Sequence, residues 1–191
     1  MTSQTPRRSA GADADPLPEP LAMIAATAGA PGLDRREHGP RHWKCVALTG
    51  VQLARRDPEI DLLAVYVFAQ LHDSQRHQEL AEPEHGPRAA EVLRAAIAKP
   101  GIPGFEPESE RASKLIEAIR DHTTAAPSDD PTISACWDAD RFNLWRVGTV
   151  PAIEYISTRV ARDHFDELSE YARMLIEAPE PTWREVARAL G

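Results

Sequence analysis

In this chain several histidines and aspartates stand where apolar side chains would be expected, and those positions could do chemistry. His72 and Asp73 are adjacent and close a segment that opens at Asp57-Pro58. Within it Ile60, Leu62, Leu63, Val65, Tyr66, Val67, Phe68, Ala69 and Leu71 leave almost no polar face. A helix that is apolar all round is a buried one. A carboxylate at its end needs a partner, because an unpaired buried charge is expensive. A metal ion satisfies imidazole and carboxylate together.

The same pattern recurs on separate segments. His42 shares a helical face with Val46, Leu53 and Ala54, and His85 heads the stripe Ala89, Leu93, Ala96. Leu115 and Ile119 lead at the same spacing to His122, and Asp140 lies on the face of Ile133, Trp137 and Leu144. One histidine on an apolar face is usually a hydrogen-bonded core residue. Histidines and carboxylates repeated over separate helices point instead to a shared centre. Such ligands suit one or two divalent transition ions (Mn, Fe, Co, Ni or Zn) better than Ca or Mg alone. No cysteine-rich set indicates structural zinc. The second carboxylate is open between Asp138 and Asp140. Helical phase favours Asp140, whereas Asp138 shares its face with Ser134, Arg141 and Trp145 and suits an acceptor that orients a ligand. His38, one turn before His42, would support a ligand or sit at the surface at the start of the helix. His77, between Arg76 and Gln78, reads as solvated.

The elements that must position these groups are helices divided by Pro and Gly. They are expected over 21–29, 38–56, 58–72, 84–98, 109–123, 131–145, 163–178 and 181–190, with loops at 99–107 and 124–130. Residues 1–20 read as a disordered tail and 21–191 as one all-α domain. No alternating strand pattern or hairpin signal interrupts them. Aromatics are scarce at 6%, which leans toward helix, and the net charge of −8 argues against a broad DNA or RNA backbone interface. A small anionic substrate stays compatible, since a metal and a few arginines reverse the potential locally. The longest apolar run, Leu62 to Ala69, is short for a membrane span. Arg7 and Arg8 precede no apolar stretch of signal type, and Cys45 and Cys136 form no disulfide framework, so a cytoplasmic setting is expected.

His42-Trp-Lys-Cys-Val46, then His72-Asp73, then Ala139-Asp140-Arg141 resembles the ordered signature of the HD superfamily of metal-dependent phosphohydrolases. The likeness covers about residues 36–162. Glu84-His85-Gly-Pro-Arg-Ala-Ala90 and Ala118-Ile119-Arg-Asp-His122-Thr123-Thr124 are similar to the additional histidine motifs of two-metal members, among them HD-type diadenosine tetraphosphate hydrolases. The resemblance implies a helical bundle around the metal site. It also implies that His42, His72, Asp73 and Asp140 bind one ion, with Asp73 bridging to a second held by His85 and His122.

Such a centre would hydrolyse a phosphate ester or anhydride of a nucleotide or other small phosphorylated compound. The metal activates water and polarises a phosphoryl oxygen, and nearby cations stabilise the developing charge. Arg76, Arg88 and Arg141 are the candidate phosphate contacts, with Lys44 behind them. The chain departs from several nucleotide-cleaving members, which keep a glutamate four residues after the doublet histidine. Arg76 stands there, so the base falls to a metal-activated water or to Glu79. Two other functions share these ligands, a non-catalytic nucleotide-sensing domain and a di-iron oxygenase.

Overall fold

A computed structural model describes residues 37–99, 101–124 and 127–190. The expected tail and the 21–29 helix lie outside them. The described residues form helices joined by turns and loops, with no strand; their only β-type pairing is an isolated bridge between Ile102 and Phe105. None of its helices is long and apolar enough to cross a membrane.

Helix α1 spans Pro40–Arg56, with proline in the first turn, where its missing N–H costs nothing. Arg55 and Arg56 sit in the last turn, complementing the helix dipole. Helix α2, Leu62–Leu71, starts later than the Asp57-Pro58 reading placed it. Asp57 and Pro58 instead open a turn, in which Asp57 Oδ1 accepts the Glu59 N–H. Asp61 is the true cap: its carboxylate accepts the N–H groups of Leu63 and Ala64. From Ala64 to Leu71 every residue of α2 is buried, as its lack of a polar face requires.

Three further helices follow: α3, His85–Ala98; α4, Glu110–Asp121; and α5, Pro131–Phe142. Ser109 caps α4 and Asp130 caps α5. Helix α5 ends earlier than expected and continues as a 3-10 turn over Asn143–Val147. The expected 163–178 helix begins upstream as α6, Arg159–Asp163, breaks at His164, and resumes as α7, Phe165–Glu177. Helix α8, Trp183–Leu190, closes the chain.

Helix α1 packs against α2, α5, α7 and α8, and α3 packs against α4. Two glycines set the closest crossings. A Cβ on Gly50 would lie 2.2 Å from Val65 Cγ1, so α1 and α2 approach closely there. The two helices run antiparallel, which carries His42, upstream of Gly50, to His72, downstream of Val65. At the other crossing, a Cβ on Gly86 would lie 2.6 Å from the Arg120 carbonyl oxygen and 2.9 Å from that of Ile119. The start of α3 therefore rests on the end of α4, which sets His85 beside His122.

Candidate metal centre

Each candidate ligand sits at a helix end or on a buried helix face. His72 is the C-cap of α2 in helical conformation, and Asp73 follows in the turn. His122 caps α4 in the same way, His85 is the first residue of α3, and His42 and Asp140 lie within α1 and α5. His42, His72, Asp73, His85 and His122 are all buried, and Asp140 is partly so.

Two groups form. His42, His72 and Asp140 offer atoms within 4.8 Å of one another, as do Asp73, His85 and His122. In the first, His42 Nε2 lies 3.1 Å from His72 Nε2 and 3.1 Å from Asp140 Oδ1. In the second, His85 Nε2 lies 2.9 Å from His122 Nε2 and 3.1 Å from Asp73 Oδ1. Asp73 joins them. Its Oδ2 is 3.4 Å from both His42 Nε2 and His72 Nε2, while its Oδ1 faces His85 and His122. Ligands about 2.1 Å from one ion, at octahedral or tetrahedral angles, lie about 3.0–3.4 Å apart.

The ring nitrogens fit that use. The Nδ1 atoms of His72, His85 and His122 face the carbonyl oxygens of Phe68, Glu82 and Ile119. A carbonyl oxygen only accepts, so each Nδ1 carries a proton, and each Nε2, once it has none, has its lone pair turned toward the centre. Nitrogens converging at this distance need a proton or a metal ion between them. Helix geometry supplies the Phe68 and Ile119 carbonyls, one turn before their histidines, and the turn leading into α3 supplies that of Glu82.

Charge at the centre is balanced by arginines. Arg76 Nε donates to Asp73 Oδ1 at 2.8 Å. Arg146 holds Nη2 4.0 Å from Asp73 Oδ2 and Nη1 3.7 Å from Asp140 Oδ1. Burial alone would raise both carboxyls. The His72 charge and hydrogen bonds from His122, His42 and His72 hold Asp73 well below its ordinary range. Hydrogen bonds from His42 and His72, with the charge of Arg146, do the same for Asp140. Burial lowers His122.

Other candidates are placed elsewhere. Arg88 donates to the Gln75 carbonyl and pairs with Glu82, tying down the 75–82 loop instead of facing the ligands. Arg141 donates to the Tyr155 carbonyl and Ser157 Oγ and stacks over Trp137, away from the centre. Asp138 orients no ligand: its carboxylate accepts the N–H groups of Ser157 and Thr158 and the Thr158 hydroxyl, anchoring the start of α6. Lys44 pairs with Glu180 at 2.5 Å. His77 is exposed. His38 is not a surface residue. It is buried, pairs through Nδ1 with Glu79, and lies beside His42 with ring centroids 6.3 Å apart. Burial, partly offset by the Asp73 charge, lowers His38 to about 3. Glu79 thus pairs with His38 beside the ligand groups.

Arg146 is the residue the sequence reading missed. It lies past the last residue of α5, so helical phase gives no hint of its direction. The 3-10 turn carries it back under Asp140, where it is held by the carbonyls of Glu37 and Asn143.

Compared with family models, curated proteins and solved structures, the chain matches none.

Proposed function

We propose that this protein is a metal-dependent phosphohydrolase with a dinuclear centre, acting on a nucleotide or another small phosphorylated compound. The observation that carries the reading is Asp73, whose two oxygens each serve a separate histidine group. The ligand order along the chain is the one the HD resemblance implies. His42, His72 and Asp140 would hold one ion and His85 and His122 the other, with Asp73 between. Imidazole and carboxylate ligands favour Mn, Fe, Co, Ni or Zn. Bound there, divalent ions supply an activated water and polarise a phosphoryl oxygen.

The surrounding charge supports an anionic substrate. Asp73 and Asp140 are already countered by Arg76 and Arg146, so bound cations leave the site with excess positive charge. Burial strengthens the attraction for a phosphate dianion. Arg76 and Arg146 are the guanidinium groups nearest the two carboxylates and would stabilise charge on the phosphoryl oxygens. Glu79 holds His38 beside His42. The buried free thiols of Cys45 and Cys136 fit a reducing cytoplasm.

The test is metal analysis of protein purified without chelator, coupled to hydrolysis of p-nitrophenyl phosphate esters and a nucleotide panel with Mn²⁺, Co²⁺ or Fe²⁺. The expected result is bound transition metal and metal-dependent phosphate release. Protein that takes up no metal would overturn the centre. Metal uptake with no hydrolysis would overturn the activity, and oxygen consumption by the iron form would favour the oxygenase reading instead.

A further inference from the structure

His42 differs from the other histidines of the centre. Its Nδ1 is buried and meets no hydrogen-bonding partner among the described residues, whereas those of His72, His85 and His122 each donate to a carbonyl. Asn143 presents a second such atom, its Oδ1. The amide orientation of Asn143 is fixed, because its Nδ2 donates to the Ala139 carbonyl at 2.8 Å and to Thr49 Oγ1 at 3.2 Å. Its oxygen must therefore face the other way. His42 and Asn143 line one small cavity together with Arg41, Cys45 and Arg146. That cavity offers about 20 Å³ to the centre of a water molecule, and about 10–15 Å³ by this measure holds one.

We infer that this cavity is a binding site for one structural water, which bridges His42 Nδ1 and Asn143 Oδ1 and, in the tautomer that frees Nε2 for a metal, accepts the Nδ1–H and donates to the Asn143 oxygen, making Asn143 a positioning residue for His42. A protonated donor and a carbonyl acceptor are the complementary pair a water bridges, and both would otherwise bear the desolvation cost of a buried unmet polar group. The bridge selects the His42 tautomer that turns Nε2 to the centre, the task main-chain carbonyls perform for the other three rings. The functional consequence rests on the proposed metal centre; the water site itself does not.

The experiment is a crystal structure at about 1.5 Å or better of the metal-free and metal-loaded protein. It is paired with ¹⁵N NMR of the imidazoles and metal affinities for Asn143→Leu and Cys45→Val. The second variant fills the cavity without touching Asn143, so a folding defect in the first leaves the test intact. A water within hydrogen-bonding distance of both atoms is expected in either form. The variants are expected to lose the slowly exchanging His42 Nδ1–H and about 10–100-fold in metal affinity. No density between His42 and Asn143, or unchanged tautomer and affinity in a folded variant, would overturn the inference. The water present in a protein that never binds metal would leave this site standing and remove the centre.

Discussion

The Nε2 atoms of His85 and His122 face each other 2.9 Å apart, while the opposite nitrogens of the same rings face the carbonyls of Glu82 and Ile119. With both Nδ1–H groups turned outward, the facing Nε2 atoms need a proton or a metal ion between them. Divalent metal is therefore expected to raise the thermal unfolding midpoint reversibly, with EDTA lowering it. Free metal at about a hundred times its Kd stabilises by about 2.7 kcal/mol. Scanning calorimetry across a Mn²⁺ or Co²⁺ titration checks this, and a midpoint indifferent to both metal and chelator would count against the centre.

Asp73 serves both histidine groups through different oxygens, whereas His122 serves one. Asp73→Ala is expected to abolish binding of both ions, and His122→Ala to lower occupancy from about two ions per chain to about one. Elemental analysis of the two variants after identical metal loading separates the outcomes. Equal losses in both would argue against a bridging carboxylate.

Gly86 lets the start of α3 lie on main-chain carbonyls at the end of α4. A methyl group there meets backbone, which cannot rotate aside. Gly86→Ala is expected to cost about 1–3 kcal/mol, as overpacking does, and to spread His85 from His122. Urea unfolding would read the first effect, and selective loss of the second ion the second.

Arg146 and Arg141 test which cation serves the chemistry. Arg146 lies near both carboxylates, while Arg141 is spent on Tyr155 and Ser157. Arg146→Gln is expected to lower kcat/KM for a phosphate ester by about a hundredfold or more. Arg141→Gln acts on stability with kcat/KM little changed. Steady-state kinetics on both, with melting curves, would show a reversed ranking if the assignment were wrong.

Much of this was legible in the sequence because burial and chemistry coincide on helical stripes. His42, His85 and His122 continue apolar faces and α2 has no polar face at all, so period points to the histidines that meet at the centre, and Asp73 follows from its adjacency to His72. What period does not carry is the path of the chain once a helix stops. The earlier end of α5 and the 3-10 turn after it put Arg146, and not Arg141, at the centre. Asp138 differs from its sequence reading for a related reason: its partners, Ser157 and Thr158, lie on a segment brought over by tertiary packing. For His38 the sequence leaves open support for a ligand or a surface place at the helix start; its carbonyl accepts the Trp43 indole N–H and its ring, buried beside His42, meets Glu79 from the loop beyond α2. Pro58 suggested a helix start that Asp61, the better cap, took over.

The metal-free protein should respond to pH in the opposite sense to metal binding. Burial would lower His72, but the charge of Asp73 and hydrogen bonds with Asp140 and Asp73 push it up to about 9 from 6.5. A group whose folded pKa is raised contributes stability that is full below its unfolded value and is lost as pH rises through the folded value. Metal-free protein is therefore expected to lose stability between pH 6.5 and about 9. A proton on His72 does there what an ion would do, holding Asp73 and Asp140 together among His42, His122 and Arg146. The ion competes with that proton, so metal affinity should rise over the same interval. Urea unfolding with EDTA and with saturating metal, at several pH values across it, should show the two curves diverging. His72→Gln should flatten the metal-free curve. Metal-free stability that climbs through the window would mean that His72 does not hold the proton.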